Sequence, residues 1–176
     1  AALFMVRVIG LLRMLAMETM RPEAILETLN DRLCVDNDAS LFVTLFCGFL
    51  DVESGRLAYS NGGHCAPIVC NRNGATTLAL PKGTMVGAVS DRRYSSLERT
   101  LDPGYTLRGY TDGVTEAEDP SGVQFSERGC LEMLRGSMAS PLPALLDSLY
   151  ERIVAHCGSP LLADDCTMLA VRRPVS

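Results

Sequence analysis

Basic residues are scarce in this sequence, and only one of the 16 is a lysine, Lys82, against 21 aspartates and glutamates. The formal net charge of -5 offers no attraction for a phosphate backbone, because nucleic-acid binders gather Lys and Arg into a basic patch. We therefore expect no nucleic-acid partner. The 47% hydrophobic and 21% charged content of the 176 residues predicts one folded domain with a real core.

Zinc-binding patterns are also missing. No Cys-x-x-Cys pair occurs, and His64, beside Cys65, has no second histidine near it. Structural zinc needs four such ligands at suitable spacing, so we expect none. The seven cysteines are odd in number and fall mostly in apolar runs, which favours buried, reduced thiols of a cytoplasmic protein over disulfides.

A long uncharged apolar run is absent as well. Residues 1–17 are very apolar, but Arg7 and Arg13 leave no stretch of about 18 uncharged residues for a membrane span or signal peptide. We predict instead a helix over 3–19 that is buried on most sides. The chain begins at Ala1, with no methionine, N-cap or turn before this helix, which indicates a fragment that starts within an element.

The remaining pattern predicts an α+β fold. A second helix is expected from Pro22, with Ile25, Leu26, Leu29 and Leu33 on one face. Runs of β-branched and aromatic residues bounded by turns then predict strands at 41–50, 56–60, 67–70, 76–80, 94–101 and 105–110, followed by helices at 127–135 and 142–157 and a strand at 166–171. This order indicates one domain, 1–176, with helices packed on antiparallel sheets.

Acidic residues occur at two informative positions. Asp112 and Gly113 follow one predicted strand, and Asp164 and Asp165 precede another. Each position alone is weak evidence, because Asp-Gly is a common turn and paired acids are common in solvated loops. Two such positions can nevertheless meet at one end of a sheet, where carboxylates suit Mg²⁺ or Mn²⁺. Together they suggest metal chemistry on an oxygen-rich substrate.

Several segments in order resemble one family. They are Tyr-Thr-Asp-Gly-Val-Thr-Glu at 110–116, Asp-Asp-Cys-Thr-Met-Leu-Ala-Val at 164–171, Phe-Val-Thr-Leu-Phe-Cys-Gly-Phe-Leu-Asp at 42–51, Tyr-Ser-Asn-Gly-Gly-His-Cys-Ala-Pro at 59–67, and the turns at 83–87 and 101–104. Nearly the whole chain resembles the metal-dependent serine/threonine phosphatases of the type 2C (PPM) superfamily. The bacterial branch of stage II sporulation protein E and the stress-response phosphatases is the most similar.

The resemblance implies an α-β-β-α sandwich of two antiparallel sheets flanked by helices. It implies that Asp112 and Asp164 are ligands of two Mn²⁺ or Mg²⁺ ions, with Asp165 as the alternative ligand. Gly113 is then either a glycine that lets the backbone approach the metal site closely or a plain turn glycine. Such enzymes hydrolyse phosphoserine or phosphothreonine with an activated water and no phosphoenzyme. The implied protein is a cytoplasmic output domain with an anti-sigma-factor antagonist as substrate, an upstream sensor or receiver domain, and a possible homodimer.

Two family motifs, of the types Gly-Asp-x-x-Asp and Asp-x-x-Gly-His-Gly, precede the first helix in the family and do not occur in this sequence. The resemblance therefore implies a domain that lacks its N-terminal motifs, holds two cations poorly and is potentially inactive alone. The alternatives are a pseudophosphatase or regulatory binding module of the same fold, and a dimerisation domain that uses the first helix. For His64 we favour hydrogen bonds within its own turn over a general-acid role.

Overall fold

The computed structural model describes residues 2–134 and 140–175. Its helices are α1 (Ala2–Glu18), α2 (Pro22–Cys34), α3 (Asp112–Thr115), α4 (Ser126–Leu134) and α5 (Leu142–Cys157). Its strands are β1 (Leu45–Leu50), β2 (Arg56–Gly62), β3 (Ile68–Asn71), β4 (Gly74–Thr77), β5 (Ser96–Thr100), β6 (Thr106–Tyr110) and β7 (Met168–Arg172). The strands form two antiparallel sheets, in the orders β1-β2-β5 and β4-β3-β6-β7. The predicted α+β class is confirmed.

The contacts of the chain define two compact units. The first consists of Ala1–His64 and Leu80–Thr100, and the second of Cys65–Ala79 and Leu101–Ser176. Each unit contains one sheet and its own hydrophobic core. The single domain over 1–176 stays a prediction.

The first unit confirms the predicted second helix. Pro22 is the first residue of α2, where its missing N–H removes no helical hydrogen bond. All four predicted core positions, Ile25, Leu26, Leu29 and Leu33, are at most 1% exposed. Because they recur at helical spacing, they form one continuous apolar face, and α2 contacts β1 and β2.

The expected burial of the first helix on most sides is wrong. Only Val8 and Leu15 of α1 are buried, whereas Leu3 and Met17 are 87% and 90% exposed. The helix packs against α2, and a straight helix can bury only the stripe that faces its neighbour. Apolar composition predicted the helix itself and overestimated how much of it is covered.

The second unit positions the acidic residues singled out above. β6 lies between β3 and β7, and Tyr110 at its end pairs with Met168 at the start of β7. The helices α4 and α5 contact β4 and β7, and they share a core with the sheet that includes Tyr110, Leu149 and Ile153. Since β6 and β7 are antiparallel, the residues after Tyr110 and those before Met168 emerge at the same sheet end.

The strand bounds differ from the predictions mainly at the ends. Within 41–50 only β1 is a strand, and Val43 forms an isolated bridge to Val86. The predicted 94–101 strand is shortened to β5, and the predicted 76–80 strand lies earlier, as β4. The predicted helix end at Arg135 lies outside the described residues. Strand ends depend on which partner they meet, which a single sequence does not specify.

The membrane and cysteine expectations can be compared directly with the structure. Over the described ranges, no helix combines the length and apolar character needed to cross a bilayer. All seven cysteines are free; Cys70 and Cys130 are buried, and the other five are half-buried. The thiols are therefore less deeply buried than their apolar sequence context suggested.

Candidate metal-binding site

Thr111, directly after β6, forms hydrogen bonds to the segment that precedes β7. Its backbone N–H donates to the carbonyl oxygen of Thr167 over 3.0 Å, and its hydroxyl donates to the carbonyl oxygen of Asp165 over 2.9 Å. The same hydroxyl accepts a hydrogen bond from the Thr167 N–H at 3.0 Å. Three hydrogen bonds on one residue therefore hold the loop that carries Asp165 beside the residue that precedes Asp112.

Asp112 is the first residue of α3, a single helical turn, and its side chain is exposed. Its carboxylate accepts a hydrogen bond from the N–H of Gly113 at 3.1 Å. Its carbonyl oxygen accepts from the Glu116 N–H at 2.8 Å and from the Thr115 hydroxyl at 3.2 Å. The Asp-Gly pair thus begins a short helix and is not the turn of a hairpin.

Gly113 is buried and lies against the backbone of the two acids before β7. A Cβ at this position would come within 2.5 Å of the Asp165 carbonyl oxygen and 3.5 Å of the Asp164 carbonyl carbon. The φ angle of Gly113 is not positive, so its backbone conformation does not require glycine. Close approach of two backbone segments is therefore the reason for glycine here.

Asp164 and Asp165 have different surroundings although both are exposed. The Asp164 carboxylate accepts a hydrogen bond from the Asp165 N–H at 2.7 Å. Asp164 also lines a cavity of about 330 Å³ together with Gly113 and Glu116. Asp165 contributes its carbonyl oxygen to the Thr111 contact. The structure therefore brings the Asp112 segment and the Asp164–Asp165 segment together, with Asp164 facing the cavity.

Cys65 is a neighbour of the acidic site that the sequence analysis did not identify. Burial raises the pKa of its thiol, and the negative charges of Asp112 and Glu116 raise it further. The thiol is therefore held in its neutral form beside two carboxylates. Cys65 lies three residues before β3, and its proximity to Asp112 follows from the pairing of β3 with β6, which the sequence alone does not specify.

The cavity beside Asp164 is lined by acidic and by apolar residues. Glu116 and Glu118 supply further carboxylates, and Leu161 and Leu162 supply apolar surface. Leu161 is 87% exposed, so this apolar surface is only partly covered. The pair Leu161-Leu162 in the loop after α5 gave no sequence signal for the cavity, because exposed leucines are common on protein surfaces. Neither leucine was identified from the sequence.

The residues at this site offer the type of ligand atom that a hard cation prefers, but too few of them. Carboxylate oxygens are the ligands that Mg²⁺ and Mn²⁺ prefer. Within residues 2–134 and 140–175, however, no three His, Cys, Asp or Glu side chains form a group able to hold a metal ion. The residues present therefore make part of a site that needs additional oxygen ligands.

His64 belongs to the first unit. Its ring Nδ1 lies 3.0 Å from the Thr44 hydroxyl, and its backbone N–H donates to the Asn61 side-chain oxygen at 3.3 Å. Both partners belong to the first unit. The hydrogen bond within the Asn61–His64 turn is made by the His64 backbone N–H, whereas the ring bonds to the Thr44 hydroxyl. The expected bonds from the imidazole to backbone groups of the turn stay a prediction.

The fold is that of PP2C-type phosphatase domains. The chain superposes on the SiaA-PP2C domain of Pseudomonas aeruginosa with a TM-score of 0.81 at 22% identity, which covers 97% of this chain and 68% of that one. With its acidic residues gathered at the β6–β7 end, the chain is a PP2C-like phosphatase domain. It matches the stage II sporulation protein E (SpoIIE) family over residues 1–174, and it belongs to that family.

Two curated relatives support the same assignment. The chain is 32% identical over 145 residues to protein IcfG of Synechocystis and 27% identical over 156 residues to phosphoserine phosphatase RsbU of Bacillus subtilis. These matches cover 82% and 88% of this chain. They span only 23% and 46% of the respective relatives.

Proposed function

We propose that this chain is part of a metal-dependent phosphatase that hydrolyses phosphoserine or phosphothreonine in a protein substrate. The observation that carries the proposal is the contact of Gly113 with the Asp164–Asp165 backbone, which brings two separate carboxylate segments to one sheet end. In this proposal Asp112 and Asp164 are metal ligands. Similarity to the phosphoserine phosphatase RsbU supports the reaction class.

The residues of this chain have distinct parts in the proposal. Asp112 and Asp164 bind the cation, and Thr111 positions both of their segments through its hydrogen bonds. Gly113 has no side chain and therefore no ligand atom of its own there, and it allows the Asp112 segment to approach the Asp164–Asp165 segment. When bound, Mn²⁺ or Mg²⁺ supplies an activated water and offsets the charge that develops on the phosphoryl group.

Further ligands are required, because divalent cations of this kind take about six oxygen ligands, water included. The family resemblance assigns them to acidic motifs that precede the first helix. The shortage of ligands in the described residues also favours the second candidate, a binding module with the same fold. The two candidates differ in one property, the hydrolysis of phosphoserine by the full-length protein.

The biological setting proposed here follows from the family. We infer a cytoplasmic signalling protein in which this domain is the output, with a sensor or receiver domain upstream. The substrate would be a phosphorylated protein of the anti-sigma-factor antagonist type, and a homodimer is the proposed assembly. The presence of RsbU among the relatives supports this setting, which the sequence of the full-length protein would test.

The experiment compares Asp164→Asn with Asp165→Asn in the full-length protein. We expect Asp164→Asn to lower Mn²⁺-dependent hydrolysis of a phosphoserine protein by more than about 100-fold, since even the hydrogen-bond partners of metal ligands are worth about 10–100-fold. Asp165→Asn should have a much smaller effect, because its backbone carbonyl makes the structural contact. Equal losses would show that both carboxylates bind metal.

The full-length protein would instead be a binding module if it binds its phosphoprotein and does not hydrolyse it with either Mn²⁺ or Mg²⁺. Circular dichroism of each variant would establish that it is folded.

A further inference from the structure

The cavity of about 330 Å³ in the second unit adjoins the candidate metal-binding site. Asp164 and Gly113, which belong to that site, also line the cavity. Its volume is at the lower end of the range for ligand pockets, about 300–1,000 Å³, so it suits one long side chain better than a whole small molecule. A side chain that enters the cavity therefore lies next to a substrate bound at the candidate site.

The segment that carries Glu118 is held against the end of α5. Glu118 forms an isolated antiparallel bridge with Gln124. His156 of α5 donates through its Nε2 to the carbonyl oxygen of Val123 over 2.9 Å. Cys157, the residue after His156, lines the cavity together with Glu118. Because these contacts join the loop to the helix, the backbone on both sides of the cavity is fixed before any ligand binds.

Among the described residues that line the cavity, every charged one is acidic. Glu116, Glu118 and Asp164 contribute carboxylates. The ion pairs formed within 2–134 and 140–175 include none of these three residues. Carboxylates around one space repel one another, and a cation bound between them is attracted by each. The cavity therefore favours a cationic group.

The type of cation follows from two further observations. In the described ranges no three acidic, His or Cys side chains form a group able to hold a metal ion, so the carboxylates are too widely spaced for a single small ion. Leu161, Leu162 and Ala163 also line the cavity, and Leu161 is 87% exposed and free to be covered. Arginine and lysine combine an apolar stem with a cationic end, which matches both kinds of lining.

We propose that this cavity is a substrate subsite for an arginine or lysine side chain near the phosphoserine or phosphothreonine of the protein substrate. The stem of that side chain packs on Leu161 and Leu162, and its cationic end pairs with Glu118 and Glu116. Because Asp164 is common to the cavity and the candidate metal site, the basic residue lies within about three positions of the phosphorylated one, at about 3.3 Å per extended residue. The inference rests on the proposed function and names the substrate sequence that such an enzyme prefers.

Hydrolysis of two phosphoserine peptides by the full-length protein with Mn²⁺ tests the subsite. One peptide carries arginine at the three positions on either side of the phosphoserine, and the other carries glutamine there. At low ionic strength we expect kcat/KM to be about 3–10-fold higher for the arginine peptide, as for two exposed ion pairs. Glu118→Lys should remove or reverse this preference. The ratio of the two peptides on one variant cancels any general loss of activity.

Glu151→Lys is the matched control, because it makes the same change in net charge at an exposed position of α5 outside the cavity lining. This variant should keep the preference, which separates the cavity from a general attraction of basic peptides to an acidic protein. An unchanged preference in Glu118→Lys, or an equal loss of preference in both variants, would overturn the proposal.

Peptide binding in EDTA, measured by fluorescence anisotropy, distinguishes failure of the subsite from failure of the proposed function. A full-length protein that hydrolyses neither peptide contradicts the proposed function. Weaker binding of the arginine peptide by Glu118→Lys than by Glu151→Lys would still support the subsite in that protein, and equal binding by both variants would overturn it. An active protein that does not discriminate between the peptides contradicts the subsite alone.

Discussion

Asp112→Asn in the full-length protein is expected to abolish Mn²⁺-dependent hydrolysis of p-nitrophenyl phosphate, with a loss of more than about 100-fold. The amide keeps the size of the side chain but lacks the negative charge that offsets dehydration of a divalent cation. The hydrogen bond to the Gly113 N–H is retained, because the amide oxygen also accepts. The fold should therefore be preserved while the activity is lost.

Asp147→Asn is the matched control for this change. Asp147 is an exposed aspartate on α5 in the same unit, outside the acidic cluster. Its substitution should leave the activity within about twofold, since exposed positions away from specific contacts have small effects. If Asp112→Asn retains activity at the level of Asp147→Asn, the assignment of Asp112 as a metal ligand is wrong.

Gly113→Ala has the second large expected effect. The new Cβ would lie 2.5 Å from the Asp165 carbonyl oxygen, and this neighbour is backbone that cannot rotate aside. We expect the free energy of unfolding to fall by about 1–3 kcal/mol, as for other overpacked sites, and Asp164 to be displaced from Asp112. Urea denaturation of this chain measures the first effect, and phosphatase activity of the full-length protein measures the second.

Gly109→Ala separates steric overlap from the general effect of removing a glycine. Gly109 belongs to β6, and a Cβ there would meet nothing within 4 Å. Alanine at this position should be neutral or slightly stabilising, because glycine has the larger conformational entropy in the unfolded chain. Equal destabilisation by both substitutions would contradict the close approach of Gly113 to the Asp165 backbone.

Sequence-based prediction was most accurate for features that depend on the residues of a single helix or strand. The buried face of α2 follows from helical spacing alone, and all four of its predicted residues are buried. The α1 prediction failed on burial because coverage depends on which neighbours pack against a helix. The same limit applies to β5, which begins two residues later than predicted and pairs with β2, its one partner among the described strands.

The candidate site shows the same division between local pattern and tertiary contact. Asp112, Gly113, Asp164 and Asp165 were identified from short motifs, and the structure brings their segments together. The Cys65 thiol and the Glu118 carboxylate beside the cavity were missed, because each becomes significant only through contacts between distant segments. Asp-Gly was ambiguous from sequence, since both a hairpin turn and the start of a helix accept it.

The most direct test of the central claim, that Asp112 and Asp164 bind one divalent cation together, is the anomalous scattering of Mn²⁺ in crystals of the full-length protein. We predict a peak about 2.0–2.3 Å from a carboxylate oxygen of Asp112 and from one of Asp164, distances typical of cations of this size. A Mn²⁺ peak that contacts neither carboxylate, or that contacts Asp165 in place of Asp164, would contradict this account.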